Sequence, residues 1–442
     1  MQAGLDPASD ALSAEELTDA WPALSIQERV EGFRLLATDE AETLFLGLHA
    51  HDQAELLLAL PVAERQLWAR QLPPDDAADV VQQVPEPEQA ALLEVIDPET
   101  RHEVTALLAY AEDEAGGLMS PRYARLRPDM RVDEAISYLR RQARTNLETI
   151  YYIYVLDAGQ RLMGVVSFRD LFAATPEKTV RDVMRAEVVT VPDDMDQEAV
   201  ATVIAERDLM AVPVVDAEGR IRGIVTVDDI VDVVREEATE DIQKIGGTAA
   251  LDAPYLQTGL VAMVRKRVVW LAVLFLGSLL TATVIAWYED AIARVVVLAL
   301  FIPLIISSGG NSGSQATTLV IRALAIGDLR PRDWWRVLLK ELGTGLALGA
   351  ILGAIGFVRV LVWPGEEGIG GEAARIALTV SASLVGIVLW GSIVGAMLPF
   401  LMSRLGFDPA SASAPFVATL VDVTGLVIYF SVAAITLGDM LT

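Results

Sequence analysis

Apolar residues in the first 110 positions follow a helical spacing that is interrupted every 12 residues. A Leu or Val precedes Pro at 60–61, 72–73 and 84–85, and a similar Ile-Asp-Pro step follows at 96–98. Pro at a helix start, with Asp or Glu in the first turn, is a helix-initiation signal. The pattern predicts a stack of short helices over residues 1–117. It fits a purely scaffolding solenoid as well as a regulatory domain, since the acidic group at 75–79 could either bind a cation or complement a helix dipole.

From residue 118 the pattern changes to β-rich apolar runs that alternate with helices. Two segments, ETIYYIYVLDAGQRLMGVVSFRDL and RDLMAVPVVDAEGRIRGIVTVDDI, have the same order of strand, Asp/Gly turn, strand and helix. Residues 164–170 of the first align with residues 223–229 of the second, an offset of 59 positions. The pattern therefore predicts a duplicated α/β unit over residues 118–235.

Long apolar stretches dominate the rest of the chain, and each can cross a hydrocarbon core, which needs about 20 residues. They predict an α-helical membrane domain over 268–441, reached through a connecting helix region at 236–267. The connections YEDAIA and PGEEGIGGE are acidic, whereas MVRKRVV, IRALAIGDLRPRDWWR and MSRLGF carry Arg or Lys. Because basic loops stay in the cytoplasm, the N-terminus is expected there and the C-terminus outside. The five stretches lie at roughly 268–287, 293–323, 336–363, 374–401 and 413–438.

Two of these spans are too polar to face lipid. The second contains SSGGNSGSQATT, in which Asn311 and Gln315 need partners and the glycines are expected to loosen the helix. The fifth contains Thr419 and Asp422, and an ionised carboxylate at the centre of a span costs about 2.5 to 3.5 kcal/mol. Polar groups at this depth are tolerated beside a water-filled cavity, so we expect both spans to line a pore. The third span has glycines at 345, 349 and 353, which predict close helix packing instead.

The net charge of the protein lies entirely in its first part. Residues 1–246 hold 49 acidic and 22 basic residues, a net charge of −27, and the rest holds 12 of each. Such a surface repels nucleic acid and attracts cations. The chain has no cysteine and only three histidines, so hard oxygen ligands are expected for any metal. The first 20 residues lack the basic and apolar regions of a signal peptide, which predicts that the first half stays in the cytoplasm.

The segment DDIVDVVREEATEDIQKIGG, which begins at residue 228, carries acidic residues at helical spacing just before the membrane. Like charges four residues apart destabilise a helix by a few tenths of a kcal/mol per pair. A charged run is usually a solvated face, but basic residues are the norm beside a membrane. Its position therefore favours cation binding.

A single carboxylate per chain cannot dehydrate and enclose a divalent ion. Two copies of Asp422 across a two-fold axis would face the same point, and Mg²⁺ is commonly held through its water molecules by one or two carboxylates. Carboxylates around a pore select cations over anions. A paired arrangement of this kind would suit a hydrated divalent cation such as Mg²⁺.

Together these features resemble the MgtE family of magnesium transporters and channels. The resemblance covers essentially the whole chain and rests on the helical N-terminal domain, EDEAGGLM, paired cystathionine-β-synthase (CBS) modules, EEATEDI, GGNSGSQATTLVIRAL, VGAMLPFL and VATLVDVTGLVIY. It implies a plasma-membrane homodimer whose pore is lined by the second and fifth spans. It also implies a connecting helix that shuts the pore when cytoplasmic Mg²⁺ is abundant. Paired CBS modules often bind adenine nucleotides, so ATP is a candidate ligand.

The resemblance assigns roles to residues of this chain. The pore candidates are Asp422, Ala418, Asn311, Gln315 and Thr419. The candidates for regulatory Mg²⁺ are Asp75, Asp79, Asp196, Glu198, Asp208, Asp229, Asp232, Glu237, Glu240 and Asp241. The candidates for ATP are Ser167, Arg169 and Asp170, although Ser167 would serve equally well as a helix cap.

The chain departs from the family pattern at three positions. The family usually has Asn at the positions of Ser314 and Ser392, and often at that of Ala414. We therefore expect fewer polar side chains along the pore than in the family. This difference puts the discrimination of Mg²⁺ from other divalent ions in question.

The sequence hypothesis is a multidomain protein that conducts Mg²⁺: an all-α N domain, an α/β CBS pair and an α-helical five-span membrane domain. One alternative is a secondary transporter of another divalent ion such as Co²⁺. Another is a non-conducting, nucleotide-sensing membrane receptor. An enzyme is not expected, because the sequence contains no HExxH, P-loop or GxSxG motif.

Overall fold

The computed structural model describes residues 12–144, 147–251, 255–362 and 373–438. These form two compact units, which divide between Glu237 and Ala238. The acidic connection PGEEGIGGE at 364–372, the first eleven residues and the C-terminal residues 439–442 lie outside the described residues.

The N-terminal part of the first unit is the predicted stack of short helices. Several helices begin with a side-chain cap. At Ser25 the hydroxyl oxygen accepts from the Glu28 backbone N–H, and the Ser25 backbone N–H donates to Glu28 Oε2 over 2.8 Å. Rings of Phe33, Phe45 and Trp68 contact one another in the core, with centroids 4.9–6.4 Å apart. The helices are Ala14–Ala20 (α1), Ile26–Leu35 (α2), Thr38–Gly47 (α3), Ala50–Ala59 (α4), Val62–Ala69 (α5), Pro74–Gln82 (α6), Glu86–Val95 (α7) and Pro98–Leu107 (α8).

The duplicated unit is confirmed as two small sheets of the same topology. In each sheet the middle strand pairs in parallel with the first strand and antiparallel with the third. The strands are Tyr123–Leu126 (β1), Thr149–Leu156 (β2), Leu162–Ser167 (β3), Val191–Pro192 (β4), Ala211–Val215 (β5) and Ile221–Thr226 (β6). The helices are Ala115–Leu118 (α9), Val132–Gln142 (α10), Phe168–Ala173 (α11), Val180–Val183 (α12), Gln197–Arg207 (α13) and Val227–Ile245 (α14).

The two copies differ in the helix that follows the last strand. It has 6 residues in the first copy, α11, and 19 in the second, α14. Thus α14 is at once the final helix of the second copy and the acidic connecting helix. The helical pattern of the connecting region therefore begins at Val227, within the repeat, and ends at Ile245.

The five predicted spans are confirmed as long apolar helices. The first begins at Leu260, eight residues before the apolar stretch, because Arg and Lys are good helix formers and the helix runs through the basic segment. The other ends lie within four residues of expectation. The helices are Leu260–Trp287 (α15), Glu289–Arg294 (α16), Val297–Ala325 (α17), Trp334–Leu361 (α18), Ala373–Arg404 (α19) and Ala414–Thr436 (α20), of which α16 is a short connection.

The expectation that glycines loosen the second span is wrong, because α17 is a continuous α-helix. Its glycines serve close packing against α19: a Cβ atom on Gly391 would overlap the carbonyl oxygen of Gly309, and one on Gly395 that of Gly313. The predicted packing face of the third span is present too, since a Cβ on Gly349 would lie 2.9 Å from Val385 Cα. Small residues allow helix backbones to approach closely in membranes, and here they fix α17 and α18 on α19.

Candidate functional site

Asp422 of α20 faces the glycine-rich stretch of α17. A Cβ atom on Gly310 would lie 3.6 Å from Asp422 Oδ1 and 3.3 Å from Ala418 Cβ. A larger residue at 310 would therefore crowd the carboxylate. Asp422 is half-buried, and it makes no hydrogen bond or ion pair with any residue in the described ranges. The structure thus places Asp422 and Ala418 of the fifth span beside Gly310 of the second span.

A row of polar side chains follows α17 beside this carboxylate. Ser307, Asn311 and Gln315 recur every four residues and are exposed in the single chain. Asn311 Nδ2 donates a hydrogen bond to Ser307 Oγ over 3.3 Å. A polar row at this depth is unfavourable against lipid. It therefore marks the side of the helix bundle that meets water or another protein surface.

Thr419 occupies a different place from the other pore candidates. Its hydroxyl donates to Pro415 O of its own helix over 2.9 Å. Its methyl group packs on the first span, where a Cβ atom on Gly277 would lie 2.6 Å away. Thr419 lines an otherwise apolar cavity of about 190 Å³ between α15 and α20, together with Phe416 and Val423. The structure therefore places Thr419 against the first span.

The three departures from the family pattern all lie in interhelical contacts. Ser314 Oγ donates to Ala414 O over 3.1 Å, so two of the three departures contact each other. Ser392 is buried, and its Oγ lies 2.7 Å from Ser312 Oγ. Short hydroxyl side chains thus satisfy one another or a neighbouring carbonyl within the helix bundle.

A second group of carboxylates lies within the first unit, and we call Asp75, Asp79, Glu148 and Asp229 the acidic cluster. Asp75 is only 7% exposed, and among the described residues its Oδ1 has no hydrogen-bond partner. Burial, reinforced by the charges of Glu148 and Asp229, raises the pKa of Asp75 well above its ordinary value. Burial also raises the pKa of Asp229 to about 7, against two hydrogen bonds from Thr226.

Asp79 of the acidic cluster has similar surroundings. Burial raises its pKa well above the ordinary value, and the charges of Asp76, Glu112 and Asp229 add to this effect. The charged groups that act on Asp75 and Asp79 are all acidic. Buried carboxylates without a counter-charge are costly, and a divalent cation bound among them would offset that cost.

The candidates on α13 are not brought together within one chain. Asp196 caps the start of this helix, where its Oδ1 accepts from the backbone N–H of Glu198 over 3.0 Å. Asp208 is the residue after the last turn and has a left-handed backbone, with φ of 51°. The side chains of Asp196, Glu198 and Asp208 are exposed. Asp196 and Glu198 lie at the start of α13, whereas Asp208 lies at its end.

The candidates on α14 have varied partners. Asp232 is exposed and pairs with Arg235 over 3.4 Å. Glu237 accepts a hydrogen bond of 2.6 Å from Gln197 Nε2. Further along, Glu240 pairs with Lys244 over 2.5 Å. The half-buried Asp241 lies on the same helix.

Sequence reasoning missed Glu148. It precedes β2, and its Oε2 accepts a hydrogen bond of 3.1 Å from the buried Ser120 hydroxyl. No charged run or spacing marks it. Its one sequence signal is that the aligned position of the second repeat, 59 residues later, is the basic Arg207.

The candidates for ATP lie around the start of α11. Ser167 Oγ accepts from the backbone N–H of Asp170 over 3.0 Å, so it caps this helix. Asp170 forms a long ion pair of 3.5 Å with Arg185. Arg169 is exposed. The three residues therefore present a hydroxyl, a carboxylate and a guanidinium at one helix start.

Comparison with known proteins gives matches along nearly the whole chain. A family model described as a divalent cation transporter, MgtE, matches residues 302–432. The model of the MgtE intracellular N domain matches residues 12–113, and that of the CBS domain matches 115–177 and 180–236. A solved structure titled as the cytosolic domain of the Mg²⁺ channel MgtE in complex with ATP is 43% identical. It covers 51% of this chain and 92% of its own, with a TM-score of 0.47.

Two curated relatives match over most of their lengths. The magnesium transporter MgtE of Thermus thermophilus is 44% identical over 97% of this chain and 94% of the relative. That of Enterococcus faecalis is 32% identical over 92% of this chain and 98% of the relative. Because these relatives match over most of their lengths and the three family models match successive parts of this chain, the chain belongs to the MgtE family of divalent cation transporters.

Proposed function

We propose that this protein is a passive Mg²⁺ channel that works as a homodimer in the plasma membrane. The observation that carries the proposal is the half-buried Asp422 carboxylate beside Gly310 and beside the exposed polar row of α17. A second copy across a two-fold axis would cover the polar row and bring two such carboxylates to one hydrated cation. Relatives named as magnesium transporters support Mg²⁺ as the cargo.

The chemistry of the site suits a hydrated ion. Asp422 supplies negative charge that favours a divalent cation and excludes anions. The side chains of Asn311 and Gln315 offer hydrogen bonds to the water molecules that Mg²⁺ keeps. A hydrated ion held through its water molecules binds weakly enough to leave again, as conduction requires.

The acidic cluster and α14 support closure of the channel by cytoplasmic Mg²⁺. Bound Mg²⁺ would bridge the carboxylates of α6 and α14 and hold the cytoplasmic part compact. When Mg²⁺ is scarce, like-charge repulsion favours the separated, open state. This proposal takes the N-terminus as cytoplasmic and the C-terminus as outside, following the basic residues around α15 and α18.

ATP is proposed as a modulator that binds at the start of α11. The capped helix start carries Ser167 with the neighbouring Arg169 and Asp170, a set suited to a ribose and a phosphate. ATP should raise the unfolding temperature of the full-length protein, measured by differential scanning fluorimetry. Arg169→Ala should reduce this shift, and Arg144→Ala, an exposed arginine outside the set, should leave it unchanged.

Ion flux into liposomes tests the proposed function. The purified protein should pass Mg²⁺ down its own gradient, without a coupled H⁺ or Na⁺ gradient, and the same assay should be run with Ca²⁺, Mn²⁺ and Co²⁺. Asp422→Ala should abolish the Mg²⁺ flux because the charge that favours a divalent cation is lost. The matched control is Asp328→Asn, an exposed aspartate in the loop after α17.

Three outcomes would contradict the proposal. Normal Mg²⁺ flux in Asp422→Ala would show that Asp422 does not form the cation site of the pore. A strict need for a coupled gradient would indicate a secondary transporter. Nucleotide binding without any ion flux would indicate a receptor.

A further inference from the structure

Lys244, near the end of α14, bridges two carboxylates that are far apart in sequence. Its Nζ donates to Glu240 Oε1 over 2.5 Å and to Asp408 Oδ2 over 2.6 Å. The three side chains are between 28% and 37% exposed, so they are partly shielded from water. Asp408 follows Lys244 by 164 residues. A single ammonium group therefore ties the connecting helix to the loop between the fourth and fifth spans.

The loop that receives Lys244 leads directly into the pore helix. Asp408 Oδ1 accepts from Ala410 N over 2.8 Å and begins a short turn of helix, Pro409–Ser411. The buried Ser413 then caps α20, where its Oγ accepts from the backbone N–H of Phe416. The carboxylate bound by Lys244 thus lies one turn before the helix that carries Asp422.

A second contact, just after α14, reaches α20 itself. Gly247, just after α14, has a φ of +74°, a conformation that favours glycine. A Cβ atom there would lie 3.1 Å from Trp270 and 3.3 Å from Pro415 of α20. Trp270 stacks on Phe416, with ring planes 3° apart. Lys244 at the end of α14 therefore pairs with the loop before α20, and Gly247, just after α14, packs tightly against the first turn of α20.

We propose that Lys244 is the positioning residue that couples the cation-sensing face of α14 to the pore helix α20. The inference rests on the proposed closure by cytoplasmic Mg²⁺ and adds the route by which closure reaches the pore. Mg²⁺ bound at Glu240 and Asp241 would offset the negative charge of Glu240, with which the Lys244 ammonium pairs. Because the same ammonium holds Asp408, that change acts on the short helical turn Pro409–Ser411, which leads into α20.

The test measures Mg²⁺ uptake into liposomes that contain a graded internal Mg²⁺ concentration on the cytoplasmic side. Lys244→Met should raise the half-inhibitory internal concentration about tenfold or more, within the range of ordinary coupling free energies. The charge exchange Lys244→Glu with Asp408→Lys keeps one cation between two carboxylates and should restore inhibition. Lys178→Met, at an exposed lysine of the CBS pair, is the matched control and should behave as the unaltered protein.

The outcomes separate this inference from the function on which it rests. If internal Mg²⁺ does not inhibit the unaltered protein, the proposed closure fails before the variants are compared. If it does inhibit, and Lys244→Met keeps the normal half-inhibitory concentration, the coupling role of Lys244 is overturned. Loss of inhibition that the charge exchange does not restore would also overturn it, because the ion pair would then not be the cause.

Discussion

At the scale of single residues, this protein holds carboxylates where water is limited. Asp75 is buried with an unpartnered oxygen, and Asp229 is half-buried near Glu148. Asp422 is half-buried among membrane helices. Each placement is unfavourable in an isolated chain, because a desolvated charge costs free energy unless an opposite charge is near. A divalent cation provides that opposite charge, which is why these residues are the best candidates for Mg²⁺ sites.

The acidic cluster predicts a pH-dependent stability in the absence of divalent cations. The pKa of Asp229 is raised to about 7 from an ordinary 3.8, so the folded protein holds a proton that the unfolded chain releases. The stability associated with that proton is complete at low pH and is lost as the pH rises through about 7. The metal-free full-length protein should therefore unfold at a lower temperature at about pH 8 than at about pH 6, measured by calorimetry.

A variant assigns this pH effect to the acidic cluster. Asp229→Asn removes the titrating group while keeping an acceptor for Thr226, so it should flatten the pH dependence. Asp194→Asn, at an exposed aspartate outside the cluster, should leave it intact. Added Mg²⁺ should stabilise the unaltered protein more at the higher pH, where the carboxylates are ionised. A pH dependence in Asp229→Asn as large as that of the unaltered protein would contradict this account, because the contributions of Asp75 and Asp79 should remain while that of Asp229 is lost.

At the scale of helices, the membrane unit depends on glycine contacts with α19. The backbones of α17 and α19 meet at Gly309, Gly313, Gly391 and Gly395, with no space for a side chain. Hydroxyl groups then bridge the same helices, as where Thr317 Oγ1 donates to Gly395 O over 2.8 Å. Association in lipid depends on such packing and on interhelical hydrogen bonds rather than on the hydrophobic effect. The glycines of the second span thus position the polar row instead of unwinding the helix.

One methyl group tests this packing. Gly395→Ala would overlap the backbone of Gly313 and should destabilise the protein by about 1 to 3 kcal/mol, the usual range for overpacking. Thermal unfolding in detergent measures the loss. Gly343→Ala on α18 has open space around it, and as a control it should be neutral or gain up to about 1 kcal/mol from helix propensity. Equal stability of both variants would show that the close contact contributes nothing.

At the scale of the whole molecule, the acidic residues are concentrated in the cytoplasmic domains and the connecting helix, while the rest of the chain is neutral overall. The net charge of −27 carries a large self-repulsion, which bound divalent cations would reduce. This distribution separates two tasks. Under the proposed function, cation binding on the acidic part would set the balance between closed and open states, whereas the neutral membrane unit would carry the pathway.

Neutralising the sensing face of α14 tests this division. Glu240→Gln with Asp241→Asn should leave Mg²⁺ uptake open at high internal Mg²⁺, because the ligands that favour the closed state are lost. Uptake by cells that lack other Mg²⁺ transporters measures the effect. Glu86→Gln with Glu88→Gln, at the exposed start of α7, removes the same charge elsewhere and serves as the control. Unchanged inhibition in the α14 variant would exclude these residues as the sensor.

Much of the fold could be predicted from the sequence because its signals are local. The 12-residue Pro repeat, the duplicated strand pair and the apolar stretches each reflect periodicity within one segment, and the helices and strands form where they indicate. Asp422 stood out for the same reason, as a single charge in an apolar span. The glycines of 307–318 were interpreted wrongly, because glycine loosens an isolated helix but allows close packing when a partner helix is present.

The sequence by itself determined the order of domains, the five membrane helices and the position of one carboxylate among them. Only the tertiary structure decided which distant groups come together: it places Gly310 beside Asp422, pairs Lys244 with Asp408, and brings Glu148 near enough for its charge to raise the pKa of Asp75. The physical reason is the separation along the chain between the residues that interact. Helix and strand formation depend on neighbours a few residues away, whereas ion pairs and buried charges depend on segments that come together only when the chain folds.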